Sequence, residues 1–288
     1  MNVVERLKTS REITHNIRHH GLVRELPSRA SLQHILDGLC PALFPTHFGQ
    51  ALFADISIDD YVRQSLGEAL PRLHEQIQRS LQFDLSEPRD DAALQAKAKL
   101  ILDEFEDQLP VIRGLLVSDF RAAYRNDPAA ESIAEIVLCY RGTIAIIYHR
   151  FAQQLYASGA RLIARLIADI AQASTAIDIH PGARIGESFF IDHGAGVVIG
   201  QTAVIGRNVR LYQAVTLGAK RFEEQPDGSL VKGQPRHPVI EDNVVIYAGA
   251  TILGRITIGH DSVIGGNVWL THSVPPNSNI TQAQVQYT

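Results

Sequence analysis

The sequence predicts an α+β protein in two unlike parts: an N-terminal α-helical domain over residues 1–175, and a parallel β-helix over residues 176–288 with a loop extruded at 218–238. Two observations predict it. Seven of the 21 glycines lie in residues 1–175 and fourteen in the remaining 113. Across those later residues an aliphatic side chain returns every six positions. Six is not a helical period, because residues six apart on an α-helix point in different directions.

The first part reads as helix throughout. "SRASLQHILDGLC" opens on a Ser cap and is expected to end before Pro41. "DDAALQAKAKLILDEFEDQL" begins with acidic residues and carries Leu94, Leu100, Ile101 and Phe105 at roughly helical spacing, with an expected stop at Pro110. Asp127 in "RNDPAAES" reads as a helix N-cap with Pro128 at the first helical position. The run from Ile133 to Ser174 reads as two apolar helices broken near Gly159.

The second part is a ladder. Its aliphatic positions are Ile179, Ile185 and Ile191, then, after a slip of two residues, Ile199, Ile205, Leu211 and Leu217, and finally Ile240, Ile246, Ile252, Ile258, Ile264 and Leu270. Each hexapeptide makes one flat side of a triangular prism, and three make a coil. The aliphatic residue points inward and stacks on those above and below. Gly186, Gly200, Gly206, Gly218, Gly259 and Gly265 follow it, which suits a corner with positive φ. Alternating strands of a sandwich would show period two instead. The charged, Gly- and Pro-rich stretch at 218–238 breaks the ladder and is read as a functional loop.

Six polar residues do not belong to a ladder: Asp178, His180, Asp192, His193, Arg236 and His237. They permit general-base chemistry, in which an imidazole removes a hydroxyl proton and a carboxylate on its other nitrogen holds the tautomer. His193 is the candidate base. Asp178 is the candidate orienting acid, since neighbours on a strand, such as Asp192 and His193, face opposite sides. Arg236 offers a planar fork for a carboxylate. A solvated His–Asp pair and a simple loop closure are the competing readings of these residues on local grounds. Tyr247 and Trp269 are expected to pack on the prism wall or against a neighbouring subunit.

Composition bounds the function. A net charge of −4 with no basic block argues against nucleic acid or an anionic membrane as partner. Cys40 and Cys139 form no CxxC pair, which suggests free thiols in a reducing compartment. The polar N-terminus resembles no signal peptide, and the expected location is the cytoplasm.

The motifs "NDPA" (126–129), "DIHPGARIG" (178–186), "DHGAGVVIGQTAVIG" (192–206), "VTLG" (215–218), "RHP" (236–238) and "AGATILG" (248–254) together resemble the serine O-acetyltransferases over residues 119–276. The resemblance implies a left-handed β-helix, an exception to the usual crossover handedness. It implies homotrimers, often paired into hexamers through the N-terminal helices, with acetyl-CoA as co-substrate in the groove between prisms. Carried over, His193 is the general base and Asp178 its partner. Arg236 and His237 grip the carboxylate of L-serine, and Asp127 and Asp192 receive its ammonium. The hydroxyl attacks the thioester directly. A backbone N–H near Gly218 and Ala219 meets the oxyanion, and Ala248 and Gly249 border the pantetheine arm. L-cysteine is implied as a feedback inhibitor, and no metal is required.

Four departures stand out: Ala219 in place of a second glycine, with a longer loop before "RHP"; Gln201 in place of a glutamate; Tyr247 in place of a small residue; and a C-terminal tail, "PPNSNITQAQVQYT", without a terminal Ile. The last argues against a complex with O-acetylserine sulfhydrylase. Two alternatives keep the fold: an acyltransferase acting on homoserine, another amine or hydroxyl, or a sugar, and a zinc enzyme of the carbonic anhydrase type using His180, His193 and His237, whose spacings fit that family poorly.

Overall fold

The computed structural model describes residues 2–14, 18–19, 22–23, 25–49, 56–83, 91–221 and 224–282. The expectation about the tail rests in part on residues 283–288, which lie outside the described residues, as do two residues of the extruded loop, 222–223.

The first part is helical, with α1 (Val3–Thr14), α2 (Arg29–Leu43), α3 (Pro45–Phe48), α4 (Ile58–Phe83), α5 (Asp91–Asn126), α6 (Ile133–Cys139), α7 (Arg141–Ala157) and α8 (Arg161–Thr175). A short antiparallel pair, β1 (Arg18–His19) and β2 (Leu22–Val23), lies between α1 and α2. Ser28 caps α2 by accepting from Ser31 N–H. Helix α2 runs through Pro41 and α5 through Pro110, so neither proline stops its helix. Packing overrides the missing N–H: Ile101, Phe105, Leu109, Ile112, Leu116 and Phe120 keep one face of α5 buried on both sides of Pro110. The run after Ile133 forms three helices, not two, because the chain turns extended at Tyr140 (ψ 121°) as well as breaking at Gly159 (φ 98°).

From Asp178 the chain winds left-handed through three parallel sheets. The first face holds β3 (Asp178–Ile179), β6 (Val198–Ile199), β9 (Thr216–Gly218), β12 (Thr251–Leu253) and β15 (Trp269–Leu270). The second holds β4 (Arg184–Ile185), β7 (Val204–Ile205), β10 (Val239–Ile240) and β13 (Thr257–Ile258). The third holds β5 (Phe190–Ile191), β8 (Arg210–Leu211), β11 (Val245–Ile246), β14 (Val263–Ile264) and β16 (Asn279–Ile280). All thirteen aliphatic residues of the ladder are buried, none more than 9% exposed. Stacking them down the axis removes their side chains from water at about 25 cal/mol per Å² of apolar surface.

The glycines that follow them have a different role from the one expected. Positive φ falls two residues later, on Ser188, Asn208, Asp261 and Asn267, where short polar side chains tolerate the left-handed region. The glycines instead permit close approach of the next coil: a β-carbon on Gly206 would lie 2.4 Å from Asp242 Oδ1.

One buried ion pair ties the two parts together. Asp119 of α5 and Arg150 of α7 are 2% and 3% exposed and lie 3.1 Å apart. Arg150 also donates to the carbonyls of Ile185 and Gly186, and Asp119 accepts from Phe189 N–H at 2.8 Å. One hydrophobic cluster runs from Leu32 in α2 to Val274 in the prism. Among the described residues no helix is long and apolar enough to cross a membrane.

Candidate functional site

Two corners of the prism, at opposite edges of its first face, carry the polar residues. The corner between β5 and β6 holds Asp192 and His193. The first coil is longer than a regular one: Asp178 pairs with Val198, twenty residues on, whereas Val198 pairs with Thr216 after eighteen. The two extra residues lie in the corner Asp192–Val197. They are accommodated by positive φ at His193 (57°), Gly194 (82°) and Gly196 (78°). Gly194 lies so close to the core that a β-carbon would fall 2.5 Å from Ile177 Cδ1. The bulge presents the His193 side chain to solvent, 72% exposed, while Asp192 stays 15% exposed.

Within one chain the acid in contact with His193 is Asp192. Asp192 Oδ1 lies 3.6 Å from His193 Nδ1, and within one chain no hydrogen bond or ion pair joins Asp178 to His193. Asp178 occupies an outward position on the first face, half-buried beside Val198. Strand alternation does not separate Asp192 from His193, because His193 is a left-handed corner residue and not part of a strand.

The helical part completes this corner. Asp127 is not a helix cap: α6 begins only at Ile133, capped by Ser132. Asp127 closes an Asx turn, its Oδ1 accepting from Ala129 N–H at 2.8 Å. Its Oδ2 accepts from the Tyr140 hydroxyl. Arg210 of β8 donates to the Asn126 carbonyl at 3.2 Å and so docks the end of α5 on the prism. The Tyr140 hydrogen bond, the Ala129 N–H and the charge of His193 hold the Asp127 carboxyl below the usual range. Burial pushes Asp192 upward, and the charge of Asp127 adds to this. Above the corner Tyr212 and Tyr247 stack with ring centroids 5.0 Å apart. Ala248 and Gly249 follow Tyr247 at the same edge.

The other corner joins the first and second faces and holds His180, Arg236 and His237. Thr202 organises it: its hydroxyl accepts from the backbone N–H groups of Arg236 and His237, and its own N–H donates to His237 Nδ1 at 3.1 Å. His237 Nε2 therefore carries the proton in the neutral ring. Arg236 donates to Gln201 Oε1 at 2.9 Å, and Gln201 Nε2 donates to the Tyr156 hydroxyl at 2.9 Å. Tyr156 also meets His180 edge-on at 5.5 Å. Burial, with Arg236 and Arg255 adding, lowers His237 to about 4, and burial with Arg165, Arg236 and His237 lowers His180 to about 4. Gly218 and Ala219 lie at this edge, where β9 leaves the prism. A cavity of about 280 Å³ beside them is lined by Lys220, Arg221, Arg236 and Arg255.

The structure thus groups His193 with Asp127, Asp192, Ala248 and Gly249, and Arg236 with His237, His180, Gly218 and Ala219. A face of about five residues, at about 3.3 Å each, separates the groups within one chain. That face carries Val198, 38% exposed, and Trp269, which at 70% exposed does not pack on its own prism wall. Among the described residues no three His, Cys, Asp or Glu side chains are placed to hold a metal ion. Tyr140, Tyr156, Thr202 and Arg210 escaped sequence reasoning, since each belongs to the site only through a partner distant in sequence.

Comparison with known proteins bears on the family of the chain. The family model described as "Serine acetyltransferase, N-terminal" matches residues 58–147, and that described as "Bacterial transferase hexapeptide (six repeats)" matches residues 237–272. A plasmid-borne serine acetyltransferase of Synechococcus elongatus is 52% identical over 284 residues, 96% of this chain and 89% of the relative. Entamoeba histolytica serine acetyltransferase 1 with L-cysteine superposes with a TM-score of 0.76 at 35% identity, over 86% of each chain. The Neisseria gonorrhoeae enzyme with serine gives 0.56 at 28% identity, over 87% of this chain and 94% of that one. With both its helical region and its hexapeptide ladder matched, and more than half its residues shared with a relative of nearly the same extent, the chain belongs to the serine acetyltransferase family.

Proposed function

We propose that the protein transfers the acetyl group of acetyl-CoA to the hydroxyl of L-serine, giving O-acetyl-L-serine, in sites formed between neighbouring prisms of a homotrimer or a dimer of trimers. One observation carries the assembly: a base with acidic neighbours stands at one edge of a prism face, and a cationic, hydrogen-bond-donating cluster stands at the other. Bringing the edges of two subunits together gives a cradle for a zwitterion facing an imidazole. The exposed Val198 and Trp269 supply apolar surface for that packing. Residues 1–175 are assigned to assembly and to supplying Asp127, and residues 176–288 to catalysis.

In this reading Arg236 and the Nε2–H of His237 hold the serine carboxylate, while Asp127 and Asp192 take its ammonium. His193 removes the hydroxyl proton as the oxygen attacks the thioester carbonyl. The tetrahedral oxyanion meets a backbone N–H near Gly218 and Ala219. Collapse expels the CoA thiolate, which receives the proton from the imidazolium. Asp192 steadies the ring, and Asp178 joins it only if the corner tightens when substrate binds. The cavity lined by Lys220, Arg221 and Arg255 suits the phosphates of acetyl-CoA, and Ala248 and Gly249 leave room for its arm. L-cysteine, with sulfur for oxygen, would compete for the same cradle. The free thiols of Cys40 and Cys139 fit the cytoplasm.

The test is CoA-thiol release with L-serine and L-homoserine as acceptors. Serine turnover at least tenfold above homoserine, lost in a folded His193→Ala protein by a factor of about 10²–10⁴, supports the reading. Full activity in that variant overturns it.

A further inference from the structure

We propose that Tyr140 is a positioning residue for amino-acid recognition: its hydroxyl fixes the Asp127 carboxylate in the orientation that receives the substrate ammonium. This rests on the assignment of Asp127 and Asp192 to that ammonium.

The backbone aims the phenol. Tyr140 is both the last cap of α6 and the first cap of α7, a single extended residue (φ −83°, ψ 121°) between two helices. The ring is half-buried, and its hydroxyl donates to Asp127 Oδ2. The other oxygen, Oδ1, is held by Ala129 N–H at 2.8 Å. Each oxygen therefore spends one lone pair on the protein and keeps one for a ligand. A carboxylate on a turn would otherwise rotate freely and lose that freedom on binding.

The electrostatics run the same way. Asp127 and Asp192 act on each other as like charges, and a substrate ammonium needs at least one of them ionised when it arrives. Tyr140 is the largest cause holding Asp127 low, ahead of the Ala129 N–H and of His193. Burial and the neighbouring carboxylates of Asp127, Glu135 and Asp192 hold the phenol itself in its neutral, donating form. Arg210 acts on Asp192, and Tyr212 completes the wall. Tyr140 and Asp127 both belong to the helical part, and Arg210 of the prism, donating to the Asn126 carbonyl at 3.2 Å, sets that part against the His193 corner.

The experiment is steady-state kinetics of Tyr140→Phe, Asp127→Asn and the double variant on the full-length protein. Tyr140→Phe keeps the ring and removes only the hydroxyl. Its serine KM is expected to rise about tenfold, the size of one charge-assisted hydrogen bond, with kcat changed less than threefold and the acetyl-CoA KM unmoved. In the Asp127→Asn background the same substitution should add no further rise, because the group it positions is no longer a carboxylate. Misfolding lowers the amount of active enzyme and so Vmax, but leaves both KM values in place, so the split remains readable. An unchanged serine KM in Tyr140→Phe, or an equal and independent rise in the Asp127→Asn background, overturns the inference. Absence of serine turnover in the unsubstituted protein instead overturns the functional reading on which it rests.

Discussion

The imidazole of His237 lies over Gly200 so closely that a β-carbon on the glycine would fall 1.9 Å from the ring's Cδ2 and 2.1 Å from Nε2. The ring is 7% exposed and pinned through Nδ1 by Thr202, so it cannot move aside as a flexible tip would. Gly200 itself has no positive φ, and alanine strains no backbone there.

Gly200→Ala should therefore displace the ring while leaving the ladder wound. Losing one hydrogen bond to a substrate carboxylate costs roughly 1.5–3 kcal/mol, or about 10–150-fold. The expected result is a serine kcat/KM lower by that factor with a melting temperature within a few degrees of the parent. Wild-type kinetics would show that His237 does not touch the substrate.

Stability should depend on pH through two buried rings, His149 and His237, and the half-buried ring of His180. His180 and His237 are lowered to about 4, and His149, buried in α7, to about 3. The ordinary value is 6.5, so between that pH and the lowered values the unfolded chain binds protons that the folded chain refuses. The stabilisation is complete above about pH 6.5, declines as pH falls toward 4, and levels off once the folded rings also protonate. Melting temperatures measured from pH 7 to 4 should fall, and His149→Gln should flatten the slope. Burial also raises Asp119 to about 6, which opposes the fall between about pH 6 and 4, so the deciding comparison is parent against His149→Gln: identical slopes would contradict the burial argument.

The pair Asp119–Arg150 should show the asymmetry of buried charges. Removing the guanidinium leaves a carboxylate 2% exposed with only the Phe189 N–H to satisfy it. Arg150→Met is expected to cost about 3–5 kcal/mol in urea unfolding. Arg150→Lys should recover little, since one ammonium cannot reach Asp119 and the carbonyls of Ile185 and Gly186 with the geometry of a planar fork. A loss below 1 kcal/mol in Arg150→Met would mean that the junction relaxes or admits water.

The ladder was legible because its signal is one-dimensional. A period of six forces Ile185, Ile205 and Ile240 into one stack whatever surrounds them, and the two-residue slip before Ile199 marked the bulge that carries His193. Helix ends were not legible, because Pro41 and Pro110 punctuate the chain locally while burial of Leu39, Leu43, Phe105 and Ile112 decides where the helices stop. The site was half legible. Residues with distinctive chemistry, such as Arg236 and His193, stood out against the repeat. Tyr140 and Thr202 did not, since a phenol after a helix and a threonine at a corner are ordinary until Asp127 and His237 arrive from elsewhere in the chain.

The shared-site reading makes a prediction that kinetics on single variants cannot. His193 and Arg236 stand at opposite edges of one prism face, so a site built between subunits draws the two from different chains. His193→Ala and Arg236→Ala proteins should each be severely impaired. Dissociated, mixed in equal amounts and reassembled, they should regain activity, because some interfaces then pair an intact base edge with an intact cationic edge. Random assembly around a cyclic axis gives each interface about a one-in-four chance of that pairing, so recovery should approach a quarter of the unsubstituted rate. If both residues instead served one site within one chain, every chain in the mixture would remain defective and the mixture would be no more active than the sum of its parents. Recovery also requires the subunits to meet head to tail, edge against opposite edge. A two-fold interface would pair like edges and restore nothing, so the size of the recovery reads the symmetry as well as the sharing.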